Sequence, residues 1–254
     1  MTPYSVFARY YDTLMADVDY AAQADYLRRL FECYGASPRL ILDLGCGTGS
    51  LLMELVRAGY EVVGADANPM MLSAAAQKLA GSEAAVLVCQ RMQELDLYGT
   101  VDAAVCMLDG INHLKSAREV LAAFRRVSLF LNPGGLFIFD INSVYKFQRT
   151  LACNAFIYDC DDVYCIWQNA FSQKSGLCRF DLTFFECCGS AYTRSDESFC
   201  ERAYPRKKIE FLLKEAGLEP LAAYDGYGLK QAGETSERIV FVARKKENAC
   251  CECK

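Results

Sequence analysis

The sequence predicts an α/β domain, a mostly parallel β-sheet with helices on both faces, interrupted by an inserted antiparallel β-hairpin region. Three observations predict it. Short apolar runs alternate with helical stretches over residues 40–141, a glycine-rich turn joins the first run to a helix, and a period-two segment around residue 180 breaks the rhythm. Of the 254 residues 53% are hydrophobic, enough to bury a sizeable core in one large domain or in one domain with an insertion.

The first element is a helix over residues 20–34, because Tyr20, Ala24, Leu27, Leu30 and Phe31 fall on one face at helical spacing. Five strands follow at Leu40–Leu44, Glu61–Ala65, Ala85–Cys89, Val101–Met107 and Leu136–Ile141. Between the second and third, Asn68 caps a helix with Pro69 at its first position and Gly81 past its end. Ser116 and Glu119 have the spacing of a capping box, and Val120, Phe124, Val127 and Leu131 form an apolar stripe closed by Asn132-Pro133-Gly134-Gly135. Beyond residue 150 the pattern changes. Cys178, Phe180, Leu182 and Phe184 alternate with polar residues, and with the 162–171 run and the Lys174-Ser175-Gly176 turn they read as an antiparallel hairpin. A helix from Pro205 to Ala216, closed by Gly217, returns to two strands near 218–224 and 238–242. The expected division is 1–37 N-terminal lid helices, 38–150 cofactor-binding α/β core, 151–203 inserted antiparallel strands that cover the substrate, 204–245 completion of the core sheet and 246–254 a flexible cysteine-rich tail.

A formal charge of −5 works against a nucleic-acid partner, since phosphate binding needs a basic surface. Arg206-Lys207-Lys208 and Arg244-Lys245-Lys246 read as a solvated helix start and a solvated strand end. No run approaches the roughly 20 apolar residues of a membrane span, and no basic-then-apolar leader is visible, so the expectation is a cytoplasmic protein with no membrane partner. Most of the fourteen cysteines in such a chain are expected to be reduced. Cys89, Cys106 and Cys178 read as small core hydrophobes, and Cys250-Cys251-Glu252-Cys253 reads as an exposed tail rather than a metal site.

The chemistry concentrates at the strand Leu40–Leu44 and the turn Gly45-Cys46-Gly47-Thr48-Gly49. Glycines belong where the backbone turns sharply and approaches a ligand closely. A dinucleotide fingerprint needs glycine at position 50, where this chain has Ser50, and no Gly-Lys-Ser/Thr follows as in a phosphate-binding loop. Asp66 ends the next apolar run, where a carboxylate can accept hydrogen bonds from both hydroxyls of a ribose lying across the sheet edge; the plainer alternative is a loop acid before a helix.

Residues 38–142 resemble the class I S-adenosylmethionine-dependent methyltransferases, whose fold is Rossmann-like with a seven-stranded, mostly parallel sheet. The resemblance assigns Asp43, Gly45, Cys46, Gly47 and Gly49 to the methionine half of S-adenosylmethionine, Asp66 to its ribose, and Ala67 and Met71 to its adenine. The family's Asp-Met pair after the third strand is Gln90-Arg91-Met92 here; arginine accepts no hydrogen bond, and Met92 is left to pack on the ring. Within the family, Tyr4…Tyr11-Asp12 and the segment from Leu108 to Leu114 resemble the small-molecule N-methyltransferases. That likeness puts Leu108 beside the cofactor and makes His113, the chain's one histidine, and Tyr4 candidate catalytic residues. His113 would exchange a proton with an amine or hydroxyl, or else be a turn histidine bonded to backbone. Where related enzymes carry a histidine on the inserted sheet this chain has Phe199, so the resemblance does not extend to an amino sugar as acceptor. The implied activity is methyl transfer to a small-molecule nitrogen or oxygen without a metal, by a monomer or homodimer. The alternatives are a protein or RNA methyltransferase and a catalytically silent cofactor-binding subunit.

Overall fold

The computed structural model describes residues 5–246. Helices α1 (Ser5–Leu14) and α2 (Tyr20–Cys33) precede β1 (Leu40–Leu44). There follow α3 (Ser50–Arg57), β2 (Glu61–Asp66), α4 (Pro69–Lys78), β3 (Ala85–Cys89), β4 (Val101–Cys106), α5 (Ala117–Phe130) and β5 (Leu131–Asn142). After α6 (Val144–Arg149) come β6 (Ala155–Asp159), β7 (Val163–Ser172), β8 (Leu177–Cys188) and β9 (Ala191–Arg202), then α7 (Arg206–Glu215), β10 (Leu218–Asp225) and β11 (Arg238–Lys245). The main sheet has seven strands in the order β10-β11-β5-β4-β1-β2-β3, in which β11 alone runs against its neighbours. The order reverses between β1 and β4, so a crevice opens there at the strands' carboxyl ends.

Alternation along the central strands supplies both faces of the core. On β5, Phe137, Phe139 and Ile141 pack with Phe124 of α5, Phe241 and the α7 residues Ile209 and Leu212, whereas Leu136 and Ile138 face Ile41, Leu52 and the α2 residues Leu27 and Leu30. Helix ends follow the expected chemistry. Asn68 Oδ1 accepts from Met70 N at 2.9 Å with Pro69 next in line, and Ser116 Oγ accepts from Glu119 N at 3.2 Å. The capping box differs in one respect: Glu119 accepts from Lys115 N at 2.6 Å, one residue further out than Ser116.

The inserted region is larger than a hairpin, being a four-stranded antiparallel meander in the order β6-β7-β8-β9. Its outer strands escape periodicity arguments, since β6 is half-exposed and β9 is exposed over much of its first half. The apolar face of this sheet, with Cys178, Phe180, Leu182 and Phe184, closes on Phe7 of α1 and Phe147 of α6. Cys106 and Cys178 are buried as expected, but Cys89 is exposed, because it ends the edge strand β3, whose residues are at most partly buried. The strand-end cations are not simply solvated: Arg244 donates to Tyr34 O at 2.6 Å and Lys245 to Leu131 O at 2.6 Å. The described cysteines are free thiols, and no described helix is long and apolar enough to cross a membrane. Tyr4 and the tail cysteines lie outside the described residues.

Candidate active site

The crevice is built first from main chain. Gly45, Gly47 and Gly49 have φ of 83°, 53° and 77°, a left-handed region that side chains disfavour. Gly45 N and Cys46 N donate to Ala65 O at 2.7 and 3.1 Å, which fixes the turn against β2. Asp66, at the tip of β2, accepts from Gly47 N through Oδ2 at 3.0 Å and from Asn68 N through Oδ1 at 2.8 Å. Each oxygen keeps a further lone pair for a ligand.

A cavity of about 520 Å³ sits over this turn, within the roughly 300–1,000 Å³ usual for small-molecule sites. Asp43, Gly45, Cys46, Gly47 and Asp66 line it, as do Ala67, Met71, Met92, Leu108 and His113. Gly49 does not. A Cβ there would lie 2.9 Å from Ala75 Cβ, so this glycine serves the close approach of α4 to the turn. At Gly47 an added Cβ meets nothing within 4 Å, open space on the cavity side.

The cavity floor is acidic. Asp43 is 3% exposed and its carboxylate has no hydrogen-bond partner among the described residues; burial, then the Asp66 charge, push its pKa up to about 7. Burial also raises Asp66, against the pull of its backbone donors. From α2, Gln23 contributes a buried amide oxygen that has no partner among the described residues, while its nitrogen donates to the Tyr227 hydroxyl at 3.4 Å. Gln23 was missed in the sequence, and Tyr11 was noted there only as part of the N-terminal resemblance. The available signal was a polar residue, Gln23, set beside the apolar stripe of α2.

The segment after β4 is pinned by a buried acid. Leu108 and Asp109 are both left-handed at φ 57°, and their N–H groups donate to Asp140 at 3.1 and 2.6 Å. Arg238 bridges Asp140 at 2.6 Å and Asp109 at 2.8 Å, and the Tyr227 hydroxyl donates to Asp140 at 2.8 Å. Burial alone would raise the Asp109 pKa, but Arg238 above all holds it below the usual carboxylate value. The following turn (Gly110–His113) carries His113 to the cavity wall. No described backbone group bonds its ring. Instead Nε2 lies 3.8 Å from Oε1 of Glu201 and the ring centroid lies 5.5 Å from that of Phe199. Burial lowers the His113 pKa, partly countered by the charges of Asp109 and Asp66.

Helix α1 covers the cavity with Phe7 and Tyr11. It is held from both sides: Glu197 accepts from Val6 N at 2.7 Å, Arg9 pairs with Glu186, and Asp12 accepts from Thr48 Oγ1 at 2.7 Å and pairs with Lys78 at 2.7 Å.

The family profile described as methyltransferase domain matches residues 41–135. A provisionally named methyltransferase of Bacillus subtilis (strain 168), YqeM, is 32% identical over 245 residues, covering 96% of this chain and 98% of that protein. The crystal structure of an S-adenosylmethionine-dependent methyltransferase from Clostridium acetobutylicum superimposes with a TM-score of 0.86 at 35% identity, covering 96% of this chain and 99% of the other. A glycine/sarcosine N-methyltransferase of Halorhodospira halochloris is 36% identical over 215 residues, 81% of this chain and 75% of the relative.

Proposed function

The chain belongs to the S-adenosylmethionine-dependent methyltransferases, and from that premise we propose that it methylates a small molecule, with an amine nitrogen as the favoured acceptor and a hydroxyl oxygen as the second choice. The observation that carries this reading is the cavity itself. It is covered by α1, on which the inserted sheet packs, is walled on one side by the single imidazole of the chain, and belongs to a protein of net charge −5. Such a chamber suits a metabolite better than a polymer. The relative named for glycine and sarcosine N-methylation supports nitrogen.

The residues present fit the cofactor on chemical grounds. S-adenosylmethionine carries an ammonium and a sulfonium, and the floor offers the unpartnered carboxylate of Asp43 and the spare lone pairs of Asp66. In this reading Asp43 and the main chain at Gly45, Cys46 and Gly47 hold the methionine half, Asp66 takes the ribose, and Ala67, Met71, Met92 and Leu108 flank the adenine end. When bound, the cofactor supplies a methyl group already activated on sulfur. The protein's own work is alignment, exclusion of water and removal of a proton from the acceptor, for which His113 is the candidate.

The test is incubation of the protein with methyl-labelled S-adenosylmethionine and, in parallel, a small-metabolite fraction, total RNA and a protein fraction. Label in a small molecule is expected. Label confined to RNA or protein overturns the reading.

A further inference from the structure

Glu201 is 4% exposed, yet its hydrogen bonding is thin: Asn142 Nδ2 donates to Oε2 at 3.4 Å, and the nearest cationic candidate for Oε1 is His113 Nε2 at 3.8 Å. An ionised carboxylate has about four acceptor sites, and leaving them unmet in a buried place is costly. Its neighbour at two-residue spacing, Phe199, lies on the same face of β9 and against the His113 ring. Two side chains of one strand therefore address one imidazole, one by a ring face and one by a carboxylate.

The turn that carries His113 is tied to the same strand. Asn112, fully buried, donates to Arg202 O at 2.8 Å and to Asn142 O at 3.2 Å, and accepts from Asn142 N at 2.9 Å. The residues flanking the pair, Asn112 and Arg202, are thus bonded to each other, which fixes the separation of His113 and Glu201. Burial, helped by the charge of Asp109, raises the affinity of Glu201 for a proton, while burial lowers that of His113, so the two are drawn together. The other charged groups around the pair are Asp66 at the tip of β2, Lys115, Lys146 of α6 and Arg238 of β11.

We propose that Glu201 is a positioning residue for His113, holding Nε2–H on the side away from the cavity so that Nδ1 faces the acceptor and receives its proton. The inference rests on the reading above that His113 takes a proton. In the step, the N–H bond of the acceptor breaks with its electron pair staying on nitrogen, an Nδ1–H bond forms, and the Nε2–H bond of the imidazolium so made breaks towards the Glu201 carboxylate, whose burial raises its affinity for that proton before it passes to water. Asp109, His113 and Glu201 also bring one ligand atom each within 4.8 Å of one another, the spacing of a metal site. Arg238 already occupies Asp109 at 2.8 Å and Lys146 adds a second fixed cation nearby, which favours a proton over a metal ion.

Because His113 is the one histidine in the chain, nitrogen NMR of histidine-labelled full-length protein reads it alone and needs no acceptor. The expected result is a neutral imidazole protonated at Nε2, with a titration midpoint that falls by about one unit or more in Glu201→Gln and by less in Glu201→Asp. S-adenosylmethionine affinity within about twofold of the parent, by calorimetry, shows the variants intact. An Nδ1-protonated tautomer in the parent protein, an unmoved midpoint in folded Glu201→Gln, or shifts of the His113 signals on adding micromolar zinc or manganese would each overturn the proposal. Failure to find a labelled small molecule would undo the broader reading and leave these signals as they are.

Discussion

The carboxyl edge of the seven-stranded sheet lines the cavity and the inner face of the four-stranded sheet packs behind helix α1, which covers it, but the two are written differently. On the first, the candidate site is built from backbone: left-handed glycines, N–H groups on Asp66 and a turn bonded to Ala65 O. On the second the candidate site is built from side chains brought together across long separations, such as His113 with Phe199 and Glu201. The difference teaches where sequence reasoning has purchase. A backbone requirement leaves a local mark, glycine at fixed spacing after an apolar run, whereas a side-chain juxtaposition leaves none until the strands are in register.

The sharpest way to break the comparison is at Gly47. A valine there would be forced into φ 53° and its side chain would enter the open space above the turn. Affinity for S-adenosylmethionine, measured by calorimetry, is expected to fall about 100-fold or more, with the thermal transition little changed. Gly49→Ala is the contrast: its Cβ meets Ala75 at 2.9 Å, so it should lower stability and spare affinity. Equal loss of affinity in both would mean that the whole turn, rather than its cavity side, contacts the ligand.

That contrast also shows the limit of the motif. The glycine spacing made the cofactor class legible, but it did not tell the cavity-lining glycines from the one that serves helix packing, since both wear the same residue. The strand order and the α/β rhythm were legible for the same local reason. The insert was legible where Cys178, Phe180, Leu182 and Phe184 alternate on the central strand β8, and illegible at β6 and β9, whose exposed positions erase the period. Glu201 lies 88 positions beyond His113 (201 − 113), and nothing near it marks it.

The second test turns on Asp43. Its folded pKa, raised from 3.8 to about 7, means that the ionised form is penalised in the ligand-free fold; the penalty is absent below the unfolded value and grows as pH rises towards 7. Asp43→Asn should therefore raise the stability of the ligand-free protein at pH 8, by about 1–3 kcal/mol in urea melts, and the gain should vanish near pH 3–4. The same substitution should weaken S-adenosylmethionine binding about 30-fold, because a charge-assisted contact to the ammonium is lost. In the parent protein affinity should be full above pH 7 and decline as pH falls below it, by at most about tenfold per unit. A pH-independent affinity between 5 and 8 would remove Asp43 from the ammonium contact.

On the side-chain face, Trp167 is the matching probe. Its ring stands edge-on to Phe7, Phe180 and Phe199, with centroids 5.6 to 6.0 Å apart, and so braces α1 over the cavity as well as the ring that touches His113. Trp167→Ala should leave S-adenosylmethionine affinity within about twofold and lower kcat/KM for the acceptor about tenfold, through loosened alignment. A matching fall in cofactor affinity would show that the two faces are not separable.

Helix α1 is where they join, and it offers the smallest effect. Glu197 and Glu186 hold it from the insert, while Asp12 reaches the glycine turn through Thr48 and Ser50 and reaches α4 through Lys78. Asp12 and Lys78 are partly exposed, at 46% and 27%, so their pairing is screened and worth little in stability. Its consequence lies in keeping Phe7 and Tyr11 over the cavity. Asp12→Asn keeps the shape and an acceptor for Thr48 but removes the charge that Lys78 answers. Dissociation of S-adenosylmethionine, followed by stopped-flow quenching of intrinsic fluorescence, should quicken about threefold with the association rate unchanged. If association slows instead, α1 guides entry rather than retaining the ligand, and the helix belongs functionally with the glycine turn and not with the insert.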